Sequence, residues 1–390
     1  MKNPARAGLG AAGGPGRILP GIILLLAAVL TGCASGARHV SVIAIWTGAE
    51  GQNFQNILDR FRAETGIIVD YQGTRAVDQV LASDVEKGTP PDVAILSRPN
   101  DLAQYLRSGA LKPLDEVTGP ARDAADRQPW QQKDDQGRLY TITVKADLKT
   151  RIWYRSPRPP AVLPQTWADL TALGRDTVGG PPWCLGMGSL STTGWPGADW
   201  VEDILLHQSG PDAYRSWAAG TLAWQSPEVR QAWQTWGSIV IGQIDGGDIA
   251  ALLTDFGDAT AQNCALVHQA ATPGPGFVEL PFPSFTPGAP KVSVVAGDSA
   301  ARFTTNPAAE ELMRYLAEEG QQINPPGLLT SPGLCFSAAD LMPTPMADAF
   351  YRSALEYLAD PGKLDTVLAR LDDIRSSIAR DEWLTVPCGP

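Results

Sequence analysis

Three apolar, β-branched runs at residues 40–45, 67–71 and 92–96 alternate with amphipathic stretches at 54–61, 76–86 and 100–107, and this spacing admits few folds. In the first stretch Phe54, Ile57, Leu58 and Phe61 fall at i, i+3, i+4 and i+7. One helix face is therefore apolar, and Gly66 stands just past Thr65, where a helix C-cap belongs. Gly109 stops the third helix in the same way. Strand and helix in alternation imply an α/β fold: a parallel sheet covered by helices on both faces, with ligands gathering at loops that leave the carboxyl ends of strands. Residues 46–50 and 97–100 form such loops.

The N-terminus bears on the compartment. Lys2, Arg6 and Arg17 are the only charges before residue 33, and 18–30 is an apolar run of 13 residues, long enough for an export signal and too short to span a bilayer. It ends in Leu30-Thr31-Gly32-Cys33, which resembles a bacterial lipobox, so 1–32 is expected to be a signal peptide and Cys33 a lipidated N-terminus followed by a tether to residue 39. The mature chain would then carry 28 Lys+Arg against 42 Asp+Glu, a net charge of −14. Such an acidic body does not suit binding to nucleic acid, which needs cations that displace counterions. The expected location is extracytoplasmic, on the outer face of the bacterial cell membrane.

Four cysteines remain, Cys184, Cys264, Cys335 and Cys388, in an oxidising compartment and with no C-x-x-C pair. Two disulfides are expected. Three connectivities are possible, and Cys184 with Cys264 and Cys335 with Cys388 is the pairing expected to keep each bridge within one lobe. With only three His, and no G-x-S-x-G, H-E-x-x-H, Walker A or G-x-G-x-x-G motif, neither a metal site nor a familiar catalytic machine is indicated, and no cofactor is expected.

Farther along, 139–144 reads as a strand, 145–150 as a polar step between two lobes, and 151–154 as the next strand. Seven of the 12 Trp (183, 195, 200, 217, 224, 233 and 236) then lie within 54 residues, so a second, aromatic-rich core is expected. Trp233 and Trp236, three apart on a helix, belong to that core. A strand at 290–296 ends at Gly297-Asp298, read as a second crossing, and Asn306-Pro307 opens a helix. The lobes are expected to comprise 40–145 with 298–340 and 146–297 with 341–390.

Trp46-Thr47-Gly48-x-Glu50, the helix ending Glu64-Thr65-Gly66-Ile67, Gly88-x-Pro90-Pro91-Asp92-Val93-Ala94 and Ser108-Gly109-Ala110-Leu111-x-Pro113-Leu114-Asp115 occur in an order that resembles the extracellular sugar-binding proteins of ABC importers, the maltose-binding-like group. The likeness covers nearly all of 40–380. Trp183-Cys184, Gly194-Trp195-Pro196-Gly197-x-Asp199-Trp200-x-Glu202-Asp203-Ile204, Cys264-x-x-x-His268-Gln269-Ala270 and Asp340-Leu341-Met342-Pro343 resemble an α-glucoside-type branch. The resemblance implies a two-lobed flytrap of the periplasmic-binding-protein type II, each lobe a mostly parallel sheet flanked by helices. It also implies a sugar in the cleft, no catalysis, a monomer, and docking on a membrane permease with a cytoplasmic ATPase.

A sugar site needs carboxylates and amides for hydroxyls and aromatic planes for C–H faces. Trp46 and Glu50 occupy a strand-end loop and are candidates, against the alternative of a buried Trp and a solvated Glu. Arg75 and Asp78 start the second helix and could equally form a surface ion pair. Ser97, Arg98 and Asn100 follow the third strand, where Asn100 could instead cap a helix, and Lys145 and Asp147 lie at the first crossing, where they could instead bridge the lobes as an ion pair. Trp195 is the expected stacking plane, Asp199 the expected hydroxyl acceptor, with Trp200 beside them. Gln269, Gly297, Asp298 and, by resemblance alone, Tyr351 complete the candidates. A surface glycoside hydrolase, which needs two carboxylates at a defined separation, and a flytrap for a non-sugar solute are the alternatives.

Overall fold

A computed structural model describes residues 38–126, 130–283, 285, 291–323, 328, 333–385 and 388. The signal peptide, Cys33 and most of the tether lie outside these residues. The chain begins with β1 (His39–Ala44), α1 (Gly48–Thr65), β2 (Ile68–Gly73), α2 (Val77–Glu86), β3 (Val93–Leu96), α3 (Pro99–Arg107) and α4 (Gly119–Asp126), which confirms the alternation to within a few residues. Phe54, Ile57, Leu58 and Phe61 are all buried, and the Gly66 N–H caps α1 by donating to the Arg62 carbonyl. Apolar spacing and a left-handed cap together set the length of α1.

β1 pairs in parallel with β2 and β3. β4 (Thr141–Leu148) follows, then β5 (Ile152–Arg155), α5 (Trp167–Val178), β6 (Trp183–Cys184), α6 (Trp195–Ala218), α7 (Pro227–Val240), α8 (Asp248–Leu253), β7 (Leu266–His268), β8 (Phe277–Leu280) and β9 (Ser293–Arg302). The chain closes with α9 (Pro307–Ile323), β10 (Leu334–Phe336), α10 (Ala338–Leu341), α11 (Thr344–Ala359) and α12 (Leu364–Ser377). The first sheet runs β10-β9-β3-β1-β2, with β4 on β9.

β4 and β9 run antiparallel from Thr141 opposite Ala301 to Leu148 opposite Val295, and this ribbon joins the two cores. Ile142, Val144 and Ala300 pack with Val40, Phe54 and Leu312, whereas Ala146, Val294 and Val295 pack with Phe336, Trp200 and Tyr214. The passage falls where Lys145 faces Asp298 and Ala146 faces Gly297. The strand therefore does not end before Gly297, as its sequence suggests, but runs on to Arg302. Glycine suits that register because a Cβ there would lie 3.2 Å from both the Lys145 carbonyl and the Thr143 methyl.

The second sheet, β6-β7-β5-β8, has one parallel and two antiparallel pairings rather than the mostly parallel order expected. Its strands are two to four residues long and β7 reaches β8 without a crossover helix, so antiparallel neighbours are available at short range. β10, expected with the first lobe, contributes Cys335 and Phe336 to the larger core because it pairs with the Ser293 end of β9. The disulfides are Cys184–Cys264 and Cys335–Cys388, the expected pairing, and with β10 in the larger core the second bridge stays on that side. Trp183, Trp200, Trp217, Trp224, Trp233 and Trp236 are all buried there.

Candidate functional site

Three cations, each surrounded by carboxylates, punctuate the region where the two cores meet. The first is Lys145. Its ammonium donates to Glu50 Oε1 at 2.5 Å and to Asp147 Oδ2 at 2.6 Å, and Arg75 reaches Glu50 at 3.7 Å. Trp46 is buried, edge-on to Phe54 with ring centroids 4.8 Å apart, and its indole Nε1 donates to Asp298 Oδ2 at 2.7 Å. Trp46 is thus a core ring with one polar edge. Burial opposes the charge on Lys145, but Asp298, Asp147 and Glu50 outweigh it and hold the ammonium well above its usual range. Burial pushes Asp298 up to about 6 against the pull of Lys145 and Trp46.

The second cation is Arg98, at the N-cap position of α3, because Pro99 rather than Asn100 opens the helix. Its guanidinium meets Asp101 at 2.7 Å, Asp348 of α11 at 3.2 Å and Asp78 of α2 at 3.4 Å. Burial, and then Asp101, raise Asp78 to about 6. Asn100 is buried and donates to the Leu341 carbonyl at 2.9 Å and the Glu382 carbonyl at 3.2 Å. Its amide therefore joins α3 to α10 and the C-terminal segment. Ser97 sits half-buried between β3 and this cluster.

The third is Lys149, just past β4. It donates to Asp199 Oδ1 at 2.9 Å and Ser337 Oγ at 3.1 Å and lies 3.2 Å from Asp340. Asp199 lies inside α6 rather than at its N-cap, which is Gly194. Trp200, also on α6, is buried with its ring 4.9 Å from Trp183 and 4.3 Å from His268. Gln269 turns its amide back onto the Ala271 carbonyl at 2.8 Å.

Trp195 differs from the other α6 aromatics in being only partly buried, its ring 4.5 Å from Phe256. The turn before it requires glycine: Gly194 has φ +105°, and a Cβ there would fall 2.2 Å from the Tyr351 carbonyl. That contact seats the Trp195 turn on α11. Tyr351 is buried, and burial followed by Asp340 holds its phenol well above its usual range.

The structure brings Trp46, Glu50, Arg75, Lys145, Asp147 and Asp298 into one cluster beside Gly297, and Arg98 with Asp78 into another. Asp199 joins Lys149, a residue the sequence reading passed over, as it did Asp101, Glu202, Asp203, Asp340 and Asp348. The spacing of Asp199, Glu202 and Asp203 along an otherwise apolar helix is the sequence signal that could have found three of them. Among the described residues there is no group of His, Cys, Asp and Glu that could hold a metal ion, and no helix is long and apolar enough to cross a membrane.

Residues 46–323 match the bacterial extracellular solute-binding protein family. The osmoprotective compounds-binding protein GgtB of Synechocystis sp. is 31% identical over 305 residues, spanning 72% of each chain. The alpha-glucosides-binding periplasmic protein AglE of Rhizobium meliloti is 29% identical over 255 residues, 60% of this chain and 56% of that one. The solved structure of the bacterial solute receptor AcbH, which prefers β-D-galactopyranose, superposes with a TM-score of 0.71 at 17% identity, covering 88% of this chain and 99% of that one. The alternating sheet, the two cores joined by one antiparallel ribbon and these matches have a single explanation: this chain belongs to the bacterial extracellular solute-binding protein family, with the two-lobed type II fold.

Proposed function

We propose that this protein is the lipid-anchored receptor of an ABC-type sugar importer. It would take an α-glucoside, disaccharide or oligosaccharide between its lobes and deliver it, unaltered, to a membrane permease driven by a cytoplasmic ATPase. The observation that carries the sugar reading is the half-exposed Trp195, seated by Gly194 on Tyr351 of α11, in a region where Lys145 and Arg98 each hold several carboxylates. An aromatic face next to charged hydrogen-bonding groups matches what a polyhydroxylated ring requires. The relatives' names, osmoprotective compounds for GgtB and alpha-glucosides for AglE, point to the same ligand class. Lipid attachment at Cys33 rests on the Leu30-Thr31-Gly32-Cys33 motif.

Closure on the ligand follows from differential affinity, since only contacts made by both lobes at once favour the closed form. The test is a thermal-shift screen of the mature chain carrying Cys33→Ser against sugars, polyamines and metal salts, with chromatography of every stabilising sugar afterwards. A bound sugar at a hundredfold excess over Kd adds about 2.7 kcal/mol and is recovered intact. A sugar recovered as cleaved products would establish a hydrolase, and stabilisation by amines or cations alone would remove the sugar from the proposal.

A further inference from the structure

Asp199, Glu202 and Asp203 lie at i, i+3 and i+4 on α6 and are at most 3% exposed, inside a core otherwise built of Trp, Leu, Ile and Val. Each holds a different piece of the connecting region. Asp199 accepts from Lys149, beyond the end of β4. Glu202 accepts from the Ala338 N–H at 3.1 Å, the Ala339 N–H at 2.9 Å and the Ser337 hydroxyl at 3.3 Å, so it caps α10 directly after β10. Asp203 accepts from Thr150, whose Oγ1 in turn accepts from the Val294 N–H of β9 at 2.7 Å, and lies 2.6 Å from His268 Nε2. One helix face thus grips the roots of all three segments that leave the larger core for the first.

We propose that the acidic stripe of α6 is a proton-responsive clamp on the crossing segments, which takes up a proton from solvent and thereby favours the arrangement in which Arg98 binds Asp348 of α11 and the lobes are in contact. The groups that face it are Lys149 beside β4, Ser337 and Asp340 at α10, Tyr214 of α6 itself, Tyr351 of α11, and, around Asp203, His268 of β7 and His207 of α6. Lys149 is the one cation opposite Asp199, Glu202 and Asp340, so the cluster carries excess negative charge away from water. Burial is the main cause pushing the Asp199 and Glu202 carboxyls up, with Lys149 offsetting only part of it. Lys149, Ser337 and Thr150 all sit on crossing segments, and a hinge motion that hydrates the cluster weakens its hold on the proton. By linkage, lowering the pH then favours the buried, closed arrangement. The device depends on the two-lobed fold and not on the identity of the ligand.

Small-angle X-ray scattering of the unliganded mature chain between pH 8 and pH 5.5 tests it. The wild type contracts through a transition near pH ~7, the closed-to-open ratio rising by at most about tenfold per pH unit for each proton taken up, and Asp199→Asn/Glu202→Gln, checked for folding by circular dichroism, shows no transition there. A wild type of constant size, or an identical transition in the double variant, would overturn the clamp. Should the double variant not fold, carboxyl carbon chemical shifts of the wild type serve instead: carboxyls titrating only below pH ~5 would equally overturn it.

Discussion

The Trp46 indole donates to Asp298 Oδ2 at 2.7 Å, which ties the turn after the first strand to the crossing strand 252 positions later. The bond does two things at once: it satisfies the only polar atom of a buried ring and holds the carboxylate that faces Lys145. Trp46→Phe keeps most of the ring contact with Phe54 and removes the donor. It should cost about 1–3 kcal/mol in urea unfolding, the range for a buried group left without its partner.

Arg98 is shared by Asp78, Asp101 and Asp348. Arg98→Met leaves three carboxylates without their cation, and breaking such a buried set costs about 3–5 kcal/mol. Part of the loss is recovered in acid, where Asp78 and Asp101, already raised by burial, take up protons. Urea titrations at neutral and acidic pH check both halves; a loss that is the same at each pH would refute the charge explanation.

Folding raises the acidities of Asp78 and Asp298 to about 6 and of Asp199 and Glu202 to about 7, from unfolded values near 4. The folded state therefore binds more protons than the unfolded state between about pH 4 and pH 7, and stability falls as pH rises through that window, by up to about 1.4 kcal/mol per unit for each titrating proton. The stability of Glu202→Gln should depend less steeply on pH across the same range, as measured by the urea midpoint.

At Gly194 the φ of +105° and the 2.2 Å approach to the Tyr351 carbonyl leave no room for a side chain. Gly194→Ala must move either the Trp195 turn or the start of α11. A loss of more than about 2 kcal/mol is expected from strain and displacement together. Near-wild-type melting would show that the turn is not held against α11.

Loss of the Cys184–Cys264 bridge, which spans 80 positions, releases a long loop in the unfolded chain. Cys184→Ser/Cys264→Ser should destabilise by about 4 kcal/mol on the loop-entropy account. The corresponding Cys335→Ser/Cys388→Ser change, across 53 positions, should cost nearly as much. Denaturation midpoints of the two variants distinguish them.

Local pattern was enough to specify the strand–helix alternation of 40–107, the C-cap at Gly66, the aromatic second core and both disulfides, because each depends on residues close in sequence or on composition. Periodicity shows which face of an element is buried, and short-range caps show where it stops. The position of a polar group relative to a distant one is decided elsewhere. Trp46 and Trp195 look equally suited to meet a ligand in the sequence, yet one is a core ring bound to Asp298 and the other stands half-exposed on a turn. Lys149 and the Asp199, Glu202 and Asp203 stripe carry no local signature of partnership, since β4, α6 and α10 meet only when the chain has crossed between its cores three times. Burying a charge is tolerable only where the fold supplies its counter-charge and hydrogen bonds, and that condition spans well over a hundred positions of chain.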